Sequence, residues 1–200
     1  LTMTSQGSGA FQSCRAAVEM FRERTPDVPV EVMDTLQVAM SQGWVAIEAA
    51  RAAMSGKRFE DVLDRAREIA RRGVMLQTAD TLRYLYMGGR IGKAQHLIGS
   101  LLNIKPIISM ADGEIVAVGT ARSRLKSYRR MVELMQQRVG EGACIKVAFT
   151  HVAARERMEQ LQAMVAARFE CTEIVVSELS PALAVHSGPG TVGVSFFPVS

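Results

Sequence analysis

Three polar side chains near the two ends of the chain could together hold an anion. Ser5 and Ser8 belong to the small-residue loop Met3–Ala10, which leads into a predicted helix. The free N–H groups of a helix N-terminus attract negative charge, although either serine could simply cap that helix. His186 stands beside a Gly-Pro-Gly turn in an otherwise apolar segment. Its imidazole N–H could donate to a carboxylate, although a lone buried histidine more often has a structural role.

The same side chains could also serve an enzyme. Ser5 and His186, with Asp34 as a third member, would suit a small α/β hydrolase or a phosphotransferase. No GxSxG elbow occurs in the sequence, and nothing in the spacing supports a triad. A nucleophile and its base must lie within hydrogen-bond reach, so the positions of Ser5 and His186 decide between an enzyme and a binding protein.

Two glycine-rich stretches resemble nucleotide-binding motifs without satisfying them. Gly88–Lys93 has three residues between its glycines and no Ser or Thr after its lysine, unlike a Walker loop. Gly188–Gly193 fits the pattern GxGxxG but leads into a predicted strand instead of a helix. We therefore reject both as nucleotide sites.

Composition argues against several other classes. The three histidines lack metal-ligand spacing, and the three cysteines form neither a CxxC pair nor a disulfide framework. We predict no metal site and no cofactor, and a reducing cytoplasm fits. A net charge of +4 suits an anionic ligand, an acidic partner or transient contact with a membrane surface. The 24 Lys and Arg are nevertheless dispersed among 20 acidic residues, and no nucleic-acid recognition motif is present.

The elements that must position these residues follow an α/β pattern. The first half alternates strands and helices, and the second adds a hairpin, which favours a mixed or antiparallel sheet there. The predicted elements are helix Phe11–Arg24, strand Val28–Met33, helices Ser41–Met54 and Arg58–Arg72, strand Val74–Thr78, a helical segment Ala94–Leu102, strands Ile104–Met110 and Glu114–Gly119 around the turn Ala111-Asp112-Gly113, a helix from Arg122 to about Val139, strand Cys144–Thr150, helix Val152–Phe169, and strands Thr172–Glu178 and Thr191–Phe197.

The stretch Asp80–Gly119 joins the two halves and contains the highest density of glycine and basic residues in the chain. Gly88 and Gly89 are predicted to stop the amphipathic segment Thr81–Met87, because glycine alone enters left-handed backbone conformations freely. Arg90 follows where the helix dipole favours a cation. Further on, five cations crowd the start of one predicted helix, where the dipole disfavours them and an acidic partner would relieve them. They are Arg122, Arg124, Lys126, Arg129 and Arg130.

Three stretches together resemble one known family. TLRYLYMGGRIGKAQ and GSLLNIKPIISMADGEIVAVGTARSR are similar to the centre of the DegV family of bacterial fatty-acid-binding proteins. MTSQGSGAFQSC resembles that family's serine-glycine head-group loop, and HSGPGTVGVSFFP resembles its His-containing GPG motif. The resemblance covers essentially the whole chain. Roughly the first third of a typical family member has no counterpart before Leu1.

The resemblance implies a carrier without catalytic residues. Ser5, Ser8 and His186 would hold the carboxylate of a long-chain fatty acid, with Gly9 and Arg90 as further candidates. Arg90 is as readily explained as a helix cap. A separate fatty acid kinase would phosphorylate the bound carboxylate to an acyl phosphate for phospholipid synthesis, and would dock on the protein through Arg122 and Arg124.

The acyl chain needs an apolar cavity from which water is excluded. Its walls would come from the apolar runs Leu97–Leu102, Ile107–Met110 and Thr191–Phe197, although such runs are more often plain core.

The resemblance also predicts two α/β domains. Residues 1–80 would be the remainder of an N-terminal domain with an incomplete, parallel-type sheet, and residues 81–200 a second domain beginning with the GGRIGKA linker. Helices Ser41–Met54 and Arg58–Arg72 would then need a sheet supplied partly from outside the chain. Strands Val28–Met33 and Val74–Thr78 would leave an open or partner-filled sheet edge.

Overall fold

A computed structural model describes residues 1–100 and 104–199 of the chain. Seven α-helices, one 3₁₀ helix and six strands occur in these residues. The helices are α1 Ala10–Arg24, α2 Ala39–Met54, α3 Phe59–Arg72, α4 Arg83–Met87, the 3₁₀ helix Gly92–Ser100, α5 Arg124–Val139, α6 Arg155–Ala166 and α7 Pro181–Ser187. The strands are β1 Val74–Thr78, β2 Lys105–Ala111, β3 Glu114–Ala121, β4 Cys144–His151, β5 Glu170–Glu178 and β6 Val192–Pro198.

The described strands form one mixed sheet in the order β3-β2-β1-β6-β4-β5. Only β4 and β5 run parallel, and the other neighbours within the described residues are antiparallel. Helix α6 connects β4 to β5, as a parallel pair requires a long crossover. The predicted α/β class and mixed sheet are confirmed. The division into residues 1–80 and 81–200 stays a prediction, and β1 from the first of these segments joins the common sheet.

One face of the sheet carries the largest core. Helices α5 and α6 pack on it over Leu76 of β1, Ile107 of β2, Phe149 of β4 and Phe196 of β6. Tyr128 and Met131 of α5 are fully buried there. The closed packing of this face leaves the opposite face to form a site.

The opposite face is covered by different elements at its two ends. At one end, helices α2 and α3 pack over β4 and β6, where Trp44 meets Phe197 edge to face with ring centroids 5.6 Å apart. The Trp44 indole also donates to the Ser195 carbonyl at 3.2 Å. Because β6 is covered on both faces, it is buried almost throughout, as the continuous apolar run in its sequence indicates.

Three expectations about the first half are wrong. Residues 28–33 form no strand; the chain there makes only a bridge between Thr2 and Asp34, and Pro29 removes a backbone donor. Strand β1 is not an edge strand, because β2 and β6 flank it. Helices α2 and α3 need no outside sheet, since β4 and β6 of this chain supply their partners.

Smaller differences concern single elements. The predicted helical segment Ala94–Leu102 is a 3₁₀ helix as far as Ser100, and its last two residues lie outside the described part of the chain. Helix α1 forms as predicted, but none of its residues is buried, including the apolar stripe Phe11, Cys14, Val18 and Phe21. None of the helices in residues 1–100 and 104–199 has the length and apolar character that crossing a membrane demands.

Candidate functional site

Over β1 and β2, the same sheet face as that under α2 and α3 borders a partly open cavity. Cross-strand pairs place Met75 opposite Ser195 and Gln77 opposite Gly193, so Met75 and Gln77 share the face that carries Phe197. Short elements surround these two side chains: α4, α7, the 3₁₀ helix and residues 3–9, which we call the serine loop. They leave a space of about 450 Å³.

The serine loop is fixed by buried hydrogen bonds to two distant turns. The Thr4 hydroxyl donates to the Gly113 carbonyl at 2.8 Å, across the β2–β3 turn. Thr4 N–H donates to the Gln37 carbonyl at 2.9 Å. The Asp34 carboxylate accepts the Ser5 N–H at 3.1 Å. These bonds close the loop over the ends of β2 and β3.

The β2–β3 turn is shaped to receive this loop. Asp112 and Gly113 both have positive φ, at 50° and 80°, as the two central residues of a tight hairpin turn require. A Cβ at Gly113 would lie 2.6 Å from the Thr4 hydroxyl oxygen. The predicted hairpin is therefore confirmed, and its glycine also makes room for the serine loop.

The cavity wall contains both polar and apolar residues. The predicted residues Ser8, Gly9, Arg90 and His186 all line it. Arg90 bridges the Gly7 and Gly88 carbonyls, and Gly88 lies against the His186 ring, so we call this part of the wall the polar end. Further polar lining residues are Thr4, Gln6, Gln77, Glu114 and Ser187. The apolar lining includes Met75, Leu85, Ile108, Met110, Ile115, Leu179 and Leu183. Of the three predicted apolar runs, only Ile107–Met110 lines the cavity within the described residues. The run Thr191–Phe197 belongs to the closed cores.

Ser5 does not share this position. Its side chain is not part of the cavity wall, and it makes no hydrogen bond to His186 in the described residues. Of the three residues predicted to converge, Ser8 and His186 line the same cavity, and their convergence on one carboxylate stays a prediction. The Asp34 carboxylate accepts the Ser5 backbone N–H at this point of the loop. A Ser5/His186 active site lacks the contact that a nucleophile and its base need.

Arg90 connects the serine loop to the end of α4. Its guanidinium donates to the Gly88 carbonyl at 2.7 Å and to the Gly7 carbonyl at 3.3 Å. Its backbone N–H closes the helix on the Leu85 carbonyl at 2.9 Å. The helix-cap interpretation therefore holds, and the side chain also bridges to the loop at the polar end of the cavity.

Two further polar pairs in the cavity wall were not predicted. Gln77 donates to the Ser187 hydroxyl at 3.2 Å, and both side chains are buried. A glutamine inside the apolar strand VMLQT was the available signal. Glu114 also lines the cavity, but Lys93 pairs with it at 2.6 Å, which raises the pKa of the lysine. This pairing offsets a negative charge that would repel an anion.

The cations at the start of α5 are less isolated than their sequence suggests. Asp80 pairs with Arg124, with Lys105 at 2.7 Å and with Arg157 at 3.3 Å. Burial opposes ionisation of Asp80, but hydrogen bonds from Lys105 and Arg124 outweigh it and hold the pKa of that carboxyl below its usual value. Arg124 also donates to the Gly190 carbonyl at 3.0 Å.

The expected mutual repulsion at this helix start is thus wrong for Arg124, and also for Arg130, which pairs with Glu133 at 3.0 Å. Arg122, Lys126 and Arg129 are exposed and form no ion pair within the described residues. They remain available to a partner. No group of metal-binding side chains occurs in residues 1–100 and 104–199.

The mixed sheet and a partly open cavity with both polar and apolar lining residues define a protein that can hold an amphipathic small molecule. The chain belongs to the DegV family, since the model of that family of uncharacterised proteins matches residues 1–199. A DegV domain-containing protein of Clostridium acetobutylicum is 30% identical over 98% of this chain and 68% of its own length.

Solved structures share the fold. A DegV family protein from Thermus thermophilus, described as fatty-acid binding, superposes with a TM-score of 0.91 at 28% identity, over 98% of this chain and 69% of that one. A stearic-acid-binding protein from Eubacterium ventriosum superposes with a TM-score of 0.83 at 25% identity, over the same shares.

Proposed function

We propose that this DegV protein binds a long-chain fatty acid in the cavity under the serine loop. The observation that carries the proposal is that Ser8 and His186, which lie far apart in the sequence, line one cavity together with many apolar side chains. The carboxylate would accept hydrogen bonds from these two side chains and from the backbone near Gly9. That similar folds from Thermus thermophilus and Eubacterium ventriosum bind fatty acids supports the same ligand class.

The tail would lie along the apolar walls towards the cluster of Leu82, Leu85, Ile91, Ala94, Leu97 and Ile108. Each buried methylene contributes about 0.8 kcal/mol, so a long chain provides most of the binding free energy. The head-group residues then choose between carboxylates and neutral lipids. We therefore expect affinity to rise with chain length until the cavity is full.

A catalytic role has less support. Ser5, the proposed nucleophile of the alternative hydrolase or phosphotransferase, lies outside the cavity wall that contains His186. The cavity residues are suited to hold and present a carboxylate. We accordingly propose a non-catalytic, cytoplasmic carrier with no cofactor of its own.

Presentation to a partner kinase is the finer part of the proposal. The exposed cations Arg122, Lys126 and Arg129 suit an acidic docking surface on such a partner. Arg122→Ala should leave fatty-acid affinity unchanged and lower acyl-phosphate formation with the cognate kinase, most strongly at low salt. Arg124→Ala is the contrasting variant, because it disrupts the pairing with Asp80. Unchanged acyl-phosphate formation in Arg122→Ala would mean that docking lies elsewhere.

The fatty-acid proposal is tested by extracting lipid from the purified protein and identifying it by mass spectrometry, followed by titration with defined fatty acids. We expect a co-purifying long-chain fatty acid and stoichiometric uptake. His186→Ala should bind more weakly, whereas His96→Ala, an exposed histidine outside the cavity wall, should not. Absence of lipid from every preparation, together with no uptake on titration, would refute the proposal.

A further inference from the structure

Helices α4 and α7 lie side by side, and each presses an aromatic ring against a glycine of the other. The imidazole of His186 from α7 lies against Gly88, the residue that ends α4. The phenol ring of Tyr84 from α4 lies against Gly188, the residue that ends α7. This reciprocal contact joins the two helices beside the polar end of the cavity.

Gly88 is not required by its backbone conformation. Its φ and ψ are −80° and −1°, values that any residue adopts at the end of a helix. A Cβ at this position would lie 2.0 Å from Nδ1 and 2.6 Å from Cε1 of His186, far inside van der Waals contact. The missing side chain is therefore needed by the histidine ring and not by the turn.

The neighbouring glycine shows the opposite situation. Gly89 has φ of 67°, so it supplies the left-handed residue that ends α4. A Cβ there would have no atom within 4 Å. The sequence attributes one role, stopping the helix, to both glycines, but the structure divides two roles between them.

The contact with Gly88 also decides which nitrogen of His186 can meet a ligand. Nδ1 is buried and has no hydrogen-bond partner within the described residues. A nitrogen buried in this way is out of reach of a ligand. His186 lines the cavity, so a hydrogen bond from its ring to a ligand must come from Nε2.

We propose that Gly88 is a positioning residue for the head-group site, acting through His186. By leaving room for the ring, it seals Nδ1 and directs the Nε2–H towards the ligand carboxylate. This inference rests on the proposed binding of a fatty acid. It assigns to Gly88 a role in affinity that is separate from helix termination.

The test compares Gly88→Ala with Gly140→Ala in the full chain, using stearic acid as the probe. Gly140 ends α5 at a φ of 93° with no atom within 4 Å of an added Cβ, and unlike Gly89 it lies outside the cavity wall. Gly88→Ala should lower the melting temperature only slightly, because its backbone suits alanine and the group that must move is a side-chain ring, and it should lose affinity by about ten- to a hundredfold, the effect of one lost hydrogen bond to a charged group. Gly140→Ala should melt at a lower temperature, because alanine is strained at positive φ, and keep an affinity within about twofold of wild type.

Two controls distinguish positioning from general damage. In a His186→Ala background, Gly88→Ala should have no further effect on affinity, because the ring it displaces is gone. Without ligand, the ¹⁵N chemical shifts of the His186 ring should change in Gly88→Ala and stay unchanged in Gly140→Ala.

The possible outcomes separate this inference from the proposed function. If wild-type protein takes up no stearic acid, the proposed function fails, and the ring shifts alone decide whether Gly88 positions His186. If wild type binds and His186→Ala binds weakly while Gly88→Ala binds like wild type, the proposed function stands and this inference is overturned. Equal losses of affinity in Gly88→Ala and Gly140→Ala would also overturn it.

Discussion

The same face of the sheet is covered differently at its two ends. Over β4 and β6 lie α2 and α3, of 16 and 14 residues, and Trp44 fills the space down to Phe197. Over β1 and β2 lie α4 and α7, of 5 and 7 residues, together with the serine loop, and a cavity of about 450 Å³ remains. Long helices supply enough apolar side chains to close a core, whereas short elements joined by glycine contacts leave room for a ligand. Stability and binding should therefore be separable by mutation.

The largest expected effect is in the closed region. Trp44→Ala removes a fully buried ring and its hydrogen bond to the Ser195 carbonyl. We expect the free energy of unfolding to fall by about 3–5 kcal/mol, as for other buried aromatic truncations. Urea unfolding measures this loss. His186→Ala is the matched truncation in the open region and should lower the free energy of unfolding far less. Equal losses of unfolding free energy in the two variants would contradict the separation of stability from binding.

The next effect concerns the dependence of stability on pH, to which Glu48 of α2 should contribute. Glu48 is buried, yet it accepts hydrogen bonds from Arg51 at 2.9 Å and Lys146 at 2.7 Å, and also from Arg65. Burial alone would raise the pKa of Glu48, but these three cations outweigh it and lower that pKa to about 2.

A depressed folded-state pKa means that Glu48 stabilises the fold above its unfolded pKa of 4.5 and loses that contribution as the pH falls towards 2. We expect this to account for about 2–3 kcal/mol of acid destabilisation. Glu48→Gln should be less stable at neutral pH and should show a flatter decline between pH 5 and 2. An equally steep decline in the variant would show that other carboxylates are responsible.

A smaller effect should separate the two serines of the loop. Ser8 lines the cavity, and its hydroxyl also accepts the Ala10 N–H at 3.2 Å. Ser8→Ala should weaken fatty-acid binding by about tenfold, the usual effect of losing one hydrogen bond to a charged group. Ser5→Ala is the matched control and should bind normally. Calorimetric titration with stearic acid measures both affinities; a larger loss in Ser5→Ala would reverse our assignment.

The smallest effect should come from Arg90. Its guanidinium bridges the Gly7 and Gly88 carbonyls but is exposed to solvent. Arg90→Ala should therefore lower fatty-acid affinity by about three- to fivefold, through a less ordered serine loop. Amide hydrogen exchange of residues 3–9 should become faster in this variant. A loss comparable to that of His186→Ala would indicate direct contact between Arg90 and the ligand.

Local features of the fold could be read from the sequence because their causes are local. The Asp112-Gly113 turn predicted the β2–β3 hairpin, and apolar periodicity predicted α3 and α5. The neighbours of β1 could not be read in this way, because its paired residues lie 29 or more positions further along the chain. Residues 28–33 show the same limit, since their apolar character predicted a strand but no strand within the described residues pairs with them.

The site was predictable to a similar degree. Residue types and the family resemblance pointed to Ser8 and His186, which the fold brings to one cavity. Ser5 has the same chemistry, but its side chain does not line that cavity, and the sequence carries no signal that separates the two serines. The role of Gly88 was hidden for another reason: a glycine required by a side chain elsewhere in the sequence looks identical to a glycine required by its own backbone.

The most direct test of the account is a crystal structure of the full chain loaded with stearic acid. We expect the carboxylate within hydrogen-bond distance of His186 Nε2 and Ser8 Oγ, and the acyl chain against Met75, Leu85 and Ile108. A carboxylate bound away from His186 in that structure, or an acyl chain outside the cavity, would contradict the central claim that the open region of this sheet face is the fatty-acid site.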